Sequence, residues 1–151
     1  MKIIFAASSG GHYEQLMMLK PLMEKNDSCV ITEKTTYKPK TSFRNYYMTQ
    51  VNRKEILFIP KMIFNSIKSL EILLKEKPDA IICTGVLAML PICILGKTIF
   101  KAKLIYIESF AKVDSPTLSG KFLYKFADRF YVQWEKMLEI YPRAIYKGGI
   151  Y

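Results

Sequence analysis

The stretch Lys2-Ile3-Ile4-Phe5-Ala6-Ala7-Ser8-Ser9-Gly10-Gly11-His12-Tyr13-Glu14-Gln15-Leu16 decides how the rest of the chain is read. An apolar run, four small residues and then a helical pattern predict a buried strand feeding a tight turn into a helix. Ser8, Ser9, Gly10 and Gly11 have small side chains, so the N–H groups at the helix start stay open to an anion such as phosphate, which the helix dipole also favours. The same residues suit a plain strand-to-helix turn that uses glycine for its dihedrals. The pattern is neither G-x-G-x-x-G nor a P-loop. His12, the single histidine of the chain, stands at this turn. There it can donate to an anion, accept a proton near neutral pH, or serve as an ordinary capping or core residue.

Working outward, the pattern repeats. Helix one is expected from about Gly11 to Lys25, with Pro21 as an interruption, and strand two at Cys29 to Thr32. The aperiodic, Lys-, Thr- and Pro-rich segment from Glu33 to Asn45 reads as a long loop on the carboxyl side of a strand. Tyr46 to Val51 and Ile56 to Ile59 read as short strands joined by the basic turn Asn52-Arg53-Lys54-Glu55. Pro60 opens a helix to about Glu76 with two stripes. Ile63, Ile67, Leu70 and Leu74 are expected to pack on the sheet. Lys61, Phe64, Lys68, Ile72 and Lys75 form a second stripe, suited either to an anionic membrane surface or to plain solvation.

The uncharged run between Asp79 and Lys97 is broken by Thr84-Gly85 and Pro91, so it reads as a buried strand, Ala80 to Cys83, and a helix from about Val86 to Phe100, not a membrane span. Gly85 again leaves a helix start open at the carboxyl edge. Strand Lys103 to Ile107 ends at Glu108, a carboxylate placed either to meet a ligand in the crevice or to hold a loop. Ser119 is expected to cap a helix through Ala127. Arg129 to Val132 gives a core strand, Trp134 to Tyr141 a short helix and Ala144 to Tyr146 an edge strand. Strands alternating with helices define an α/β, Rossmann-like, doubly wound parallel sheet.

With 151 residues, half of them hydrophobic, the chain is expected to be one domain over 1–151 with a core that needs no staples. Cys29, Cys83 and Cys93 lie in apolar runs without metal-ligand spacing, which suggests buried thiols in a cytosolic chain read as mature from Met1. The formal charge of +10 calls for an acidic partner. Nucleic acid is a minor candidate, because the aromatics form no RNA-binding signature.

Ala7-Ser8-Ser9-Gly10-Gly11-His12, Cys83-Thr84-Gly85, the segment Tyr106-Ile107-Glu108-Ser109-Phe110-Ala111-Lys112-Val113, Ala127-Asp128, Val132-Gln133-Trp134 and Tyr141-Pro142-Arg143-Ala144 resemble the bacterial polysaccharide-biosynthesis proteins of the PssD or EpsE type. These are similar to the membrane-anchoring subunit of the two-subunit N-acetylglucosaminyltransferase of the N-glycan pathway. The resemblance implies a single domain equivalent to the N-terminal half of a GT-B glycosyltransferase of the MurG type. It implies a donor-binding subunit on a separate chain, a polyprenyl-diphosphate-linked sugar acceptor, a UDP-sugar at the shared cleft, and capsular or exopolysaccharide biosynthesis as the setting.

It also implies His12 and Glu108 as catalytic candidates. Ser8, Ser9, Gly10, Gly11, Thr84, Gly85 and Ser109 would meet the acceptor and its diphosphate. No cofactor is expected, and Asp27, Asp79, Asp114 and Asp128 form no Asp-x-Asp metal pair, which fits metal-independent transfer. The eukaryotic relatives carry an N-terminal membrane helix whereas this chain starts at its first strand, so peripheral attachment to the inner face of the cell membrane is expected through surface patches. The apolar tail places Ile145, Tyr146, Ile150 and Tyr151 at the partner interface, with a tail folded back on its own sheet as the alternative. A self-sufficient nucleotide-binding or regulatory module is the competing function.

Overall fold

The computed structural model describes residues 1–36, 41–85 and 87–151. Among them, β1 (Lys2–Ala6), β2 (Asp27–Glu33), β3 (Arg44–Met48), β4 (Ala80–Cys83), β5 (Lys103–Ile107), β6 (Arg129–Val132) and β7 (Ile145–Tyr146) form one sheet in the order β3-β2-β1-β4-β5-β6-β7. Every neighbouring pair is parallel. The order runs outward in opposite directions from β1 and β4, so the loops after these two strands flank the switch point where ligands enter open α/β sheets.

Strand alternation divides the core into two layers. Ile4, Ala6, Cys29, Ile31, Ile81, Cys83, Leu104 and Tyr106 face α3 (Phe58–Glu76), α4 (Leu90–Thr98) and α5 (Leu118–Leu123). Ile3, Phe5, Ala7, Val30, Ala80 and Ile82 face α1 (Gly11–Met17) and α2 (Lys20–Glu24), which contribute Leu16 and Met23. Burial on both faces explains why β1 and β4 read as continuous apolar runs. Burial pushes the Cys29 thiol up to about 12; all three cysteines are free and buried.

Several boundaries differ from the expectations. Helix one is two helices, and Pro21 sits in the first turn of α2, where its missing N–H costs nothing. Ile56 to Ile59 is not a strand: Ile56 and Leu57 form a turn and the helix starts at Phe58. Pro91 likewise opens α4 instead of interrupting it. A 3₁₀ turn, Leu87–Met89, precedes α4; Val86 and part of the expected long loop, residues 37–40, lie outside the described residues. Thr117, not Ser119, caps α5, accepting a hydrogen bond from the Gly120 N–H. The helix expected over Trp134 to Tyr141 is a 3₁₀ turn, Glu135–Glu139.

The largest correction concerns α3. Its expected core stripe is on the outside: Ile63, Ile67, Leu70 and Leu74 are all exposed. The buried face carries Asn65, Ser69, Ile72, Leu73 and Glu76, so Ile72, expected on a membrane-facing stripe, belongs to the core. Hydrogen bonds decide this. Asn65 Oδ1 accepts from Thr49 N at 2.9 Å and Asn65 Nδ2 donates to Thr49 O at 2.8 Å, which satisfies the chain where it leaves β3. Glu76 accepts from both Arg44 and Tyr46 of that strand. A left-handed Lys77 followed by Pro78 ends the helix.

Candidate active site

The loops after β1 and β4 are latched to each other. Ser8 N donates to Gly85 O at 3.3 Å. Thr84 Oγ1 donates to the carbonyl of His12 at 2.9 Å, and His12 Nδ1 lies 2.8 Å from the carbonyl of Thr84. A carbonyl only accepts, so Nδ1 carries the proton and the neutral ring keeps Nε2 as its acceptor. Gly85 has φ +114, and a Cβ there would stand 3.1 Å from His12 Cε1. Glycine thus serves both the backbone and the ring beside it.

Ser9 does not present a vacant anion site. Its N–H and its hydroxyl both reach Glu33 Oε2, at 3.2 and 3.1 Å. Glu33 ends β2 and is buried. Gly10, with φ +76, supplies the turn into α1 and caps it without a side-chain bond.

Glu108 is 1 % exposed. Its Oε1 accepts from Ser109 N at 2.9 Å and Thr117 Oγ1 at 2.8 Å, and its Oε2 accepts from Tyr141 OH at 3.0 Å and Thr117 N at 3.3 Å. A Cβ on Gly120 would fall 2.1 Å from Oε2, so only glycine lets α5 approach this carboxylate. Burial, reinforced by the nearby carboxylate, pushes the Tyr141 and Tyr106 hydroxyls above their ordinary range and keeps both protonated. The arrangement is that of an acid pinning the loop 109–117 to α5 and to the strand ends. Of the two readings of an acid at the end of β5, these hydrogen bonds match the one that holds a loop.

Between these loops lies an open cavity of about 690 Å³ at the carboxyl edge. Ser8 alone of the expected site residues lines it. Thr84 is fully buried behind the cleft, Ser109 is buried and used by Glu108, and His12 is half-buried beside the glycine turn. The walls instead come from Glu33, Arg53, Glu55, Lys112 and Thr117 among others. Glu33 follows the same rule that drew attention to Glu108, an acid at a strand's carboxyl end, and that rule would have found it. Arg53 stood in a turn read only as a connection.

The tail folds back over the second face of the sheet. Ile150 N donates to Gln133 Oε1 at 3.0 Å, and the Tyr151 ring meets Phe110 edge-on at 5.1 Å. Tyr151 OH donates to Gly11 O at 3.4 Å, bringing the last residue to the glycine turn. Ile145 and Ile150 are half-buried, whereas Tyr146 and Tyr151 remain exposed.

In solved structures, this fold is similar to part of Acinetobacter baumannii MurG, with TM-score 0.67 and 12% identity over 87% of this chain and 40% of that one. It is also similar to UDP-GlcNAc 2-epimerase from Methanocaldococcus jannaschii, with TM-score 0.72 and 16% identity over 95% of this chain and 42% of the other. At such identities the likeness concerns the Rossmann-like fold. In sequence, the chain is 31% identical over 125 residues to the human UDP-N-acetylglucosamine transferase subunit ALG14, covering 74% of this chain and 57% of that protein. It is 29% identical over 175 residues to the Yarrowia lipolytica protein of the same description, covering 97% of this chain and 80% of its relative. Residues 47–150 match the family described as oligosaccharide biosynthesis protein Alg14 like, and the chain, with its Rossmann-like fold, belongs to that family.

Proposed function

We propose that this chain is the acceptor-binding, membrane-associating subunit of a two-subunit glycosyltransferase. The pair moves a sugar from a UDP-sugar to a polyprenyl-diphosphate-linked saccharide, with capsular or exopolysaccharide biosynthesis of the PssD or EpsE type as its setting. The observation that carries this reading is His12, held at the switch point with Nδ1 committed to Thr84 and Nε2 left as an acceptor. Its relatives' description as subunits of a UDP-N-acetylglucosamine transferase supplies the reaction class.

In the proposed reaction His12 Nε2 takes the proton of the acceptor hydroxyl as its oxygen attacks the anomeric carbon of the donor. The bond from that carbon to the diphosphate oxygen breaks, and its electron pair leaves with UDP. Glu108 acts one layer back by fixing the 109–117 loop through Thr117 and Ser109. The donor-binding subunit sits against the carboxyl edge and the returning tail, where Tyr146 and Tyr151 stay exposed.

Membrane association uses α3 and the turn before it. Ile56, Leu57, Ile59, Ile63, Phe64 and Ile67 are all more than half exposed, an apolar surface of the kind that marks an interaction site. Lys68 and Lys75 stand beside it, over the rings of Phe64 and Tyr46, and Lys61 pairs with Glu55. Apolar side chains entering the headgroup layer between lysines match peripheral binding to anionic lipid. No helix among the described residues is long and apolar enough to cross a membrane.

Titrating the purified chain with UDP tests the division of labour. Weak or no binding by this chain, with tight binding by the assembled pair, is the expected result. Tight binding by the chain alone supports a self-sufficient nucleotide-binding module instead.

A further inference from the structure

Resting on the reading of this chain as the acceptor-binding half, we propose that the 690 Å³ cavity at the carboxyl edge is a glycosyl phosphate subsite, in which Arg53 and Lys112 take the phosphate and Glu33 takes a sugar hydroxyl. The charges in the cavity divide into those already satisfied and those left unmatched. Two acids line it, Glu33 and Glu55, and two cations, Arg53 and Lys112. Glu55 is engaged by Lys61 of α3. Arg53 and Lys112 meet no carboxylate among the described residues. Glu33 has only neutral donors, the Ser9 N–H and hydroxyl, and both fall on Oε2. Oε1 has no donor among the described residues and remains an acceptor at a wall of the cavity.

The unmatched groups are therefore two positive charges and one carboxylate oxygen. Inorganic phosphate would satisfy the cations but meet the carboxylate unfavourably. A neutral sugar would satisfy Glu33 and leave both cations unmatched. A group carrying an anion at one end and hydroxyl donors at the other satisfies all three, and a glycosyl phosphate is such a group. Glu33 is also well fixed. It is 6% exposed and tied to Ser9 in the turn that leads into α1 and His12, so a hydroxyl bound to it is oriented relative to the same turn. Arg can grip a phosphate with two parallel bonds, and Lys adds a point charge.

The proposal is tested by titrating the full chain with N-acetylglucosamine 1-phosphate, inorganic phosphate and N-acetylglucosamine, followed by amide chemical shifts. The sugar phosphate is expected to bind at least about tenfold more tightly than either part alone. Arg53→Ala with Lys112→Ala, changes at an exposed and a half-buried position, should weaken it about tenfold or more. Glu33→Gln should weaken the sugar phosphate several-fold while leaving inorganic phosphate equal or tighter, a split that general loosening of the loop would not give. Farnesyl-diphospho-N-acetylglucosamine identifies the source: the same response to the variants, at higher affinity, assigns the cavity to a lipid-linked sugar, and a response from the free sugar phosphate alone assigns it to a soluble one. Equal binding of all three small probes, or indifference to the Arg53 and Lys112 changes, overturns the proposal. If the sugar phosphate binds as stated but the assembled pair extends no lipid-linked acceptor, the transferase reading fails and this one stands.

Discussion

His12 and Thr84 hold each other through two reciprocal hydrogen bonds, ring to carbonyl at 2.8 Å and hydroxyl to carbonyl at 2.9 Å. The two loops that flank the switch point are thereby one rigid unit. Gly85 is the position where this unit can be disturbed while the His12 and Thr84 side chains are both kept. Gly85→Ala puts a Cβ 3.1 Å from His12 Cε1 at φ +114, a strained conformation costing about 1–3 kcal/mol. The expected outcome is a lowered melting temperature and transfer reduced more than the stability change explains, because the ring must turn. Wild-type transfer by this variant would show that His12's orientation is unimportant.

His12 and Glu108 should separate in their effects. His12→Ala is expected to lower transfer by about 10²- to 10⁴-fold, the usual worth of general acid–base help, with little change in melting temperature. Glu108→Gln brings an amide N–H₂ to face the Tyr141 hydroxyl or Thr117, and a mismatched buried polar group costs about 1–3 kcal/mol. That variant should melt earlier and recover part of its activity on cooling. Thermal denaturation beside turnover distinguishes the two, and equal melting temperatures with equal activity loss would return Glu108 to a direct role.

The exposed face of α3 gives a membrane prediction. Ile63→Glu with Ile67→Glu should release the chain from anionic vesicles while leaving its fold unchanged, since both side chains are exposed. Ile72→Glu should instead unfold the protein, because Ile72 is 3% exposed in the core. Salt should weaken vesicle binding only in part, as apolar insertion is not screened. Sedimentation of the double variant with vesicles at the wild-type level would remove α3 from membrane association.

The Asp27–Arg44–Glu76 cluster predicts acid sensitivity. The hydrogen bond from Arg44 holds the Asp27 carboxyl below its ordinary 3.8. Burial pushes Glu76 upward, yet the Tyr46 hydroxyl and the Arg44 guanidinium outweigh it and leave its pKa below 4.5. Both folded-state values are depressed, so the stabilisation is present above the ordinary values and is lost as pH falls through the depressed ones. Urea midpoints should therefore drop below about pH 4.5 in the wild type, and Arg44→Met should flatten that dependence. Identical pH profiles would contradict the assignment.

The centre of the sheet was legible because β1, β2 and β4 are buried on both sides and read as apolar runs between turns. The turns after β1 and β4 were visible for the same reason. The face of α3 was not, since helical periodicity identifies an apolar stripe without saying what covers it. There the polar side chains of Asn65, Ser69 and Glu76 are buried because they satisfy β3 and the helix itself. Glu108 was legible as an acid that either meets a ligand or holds a loop, and the choice between the two was not, because its donors Thr117 and Tyr141 lie 9 and 33 residues away. The tail, read as a partner interface or as folded back on its own sheet, is tied to Gln133 and Phe110. Deleting residues 148–151 should therefore lower the melting temperature as well as partner binding.

The most direct measurement is transfer of labelled sugar from a UDP-sugar to a polyprenyl-diphosphate-linked saccharide by this chain, by its donor-binding partner and by the two together, each with wild-type and His12→Ala chain. The account predicts transfer only by the assembled pair, reduced at least about a hundredfold by the substitution. Transfer by this chain alone, or an unimpaired pair carrying His12→Ala, would contradict it.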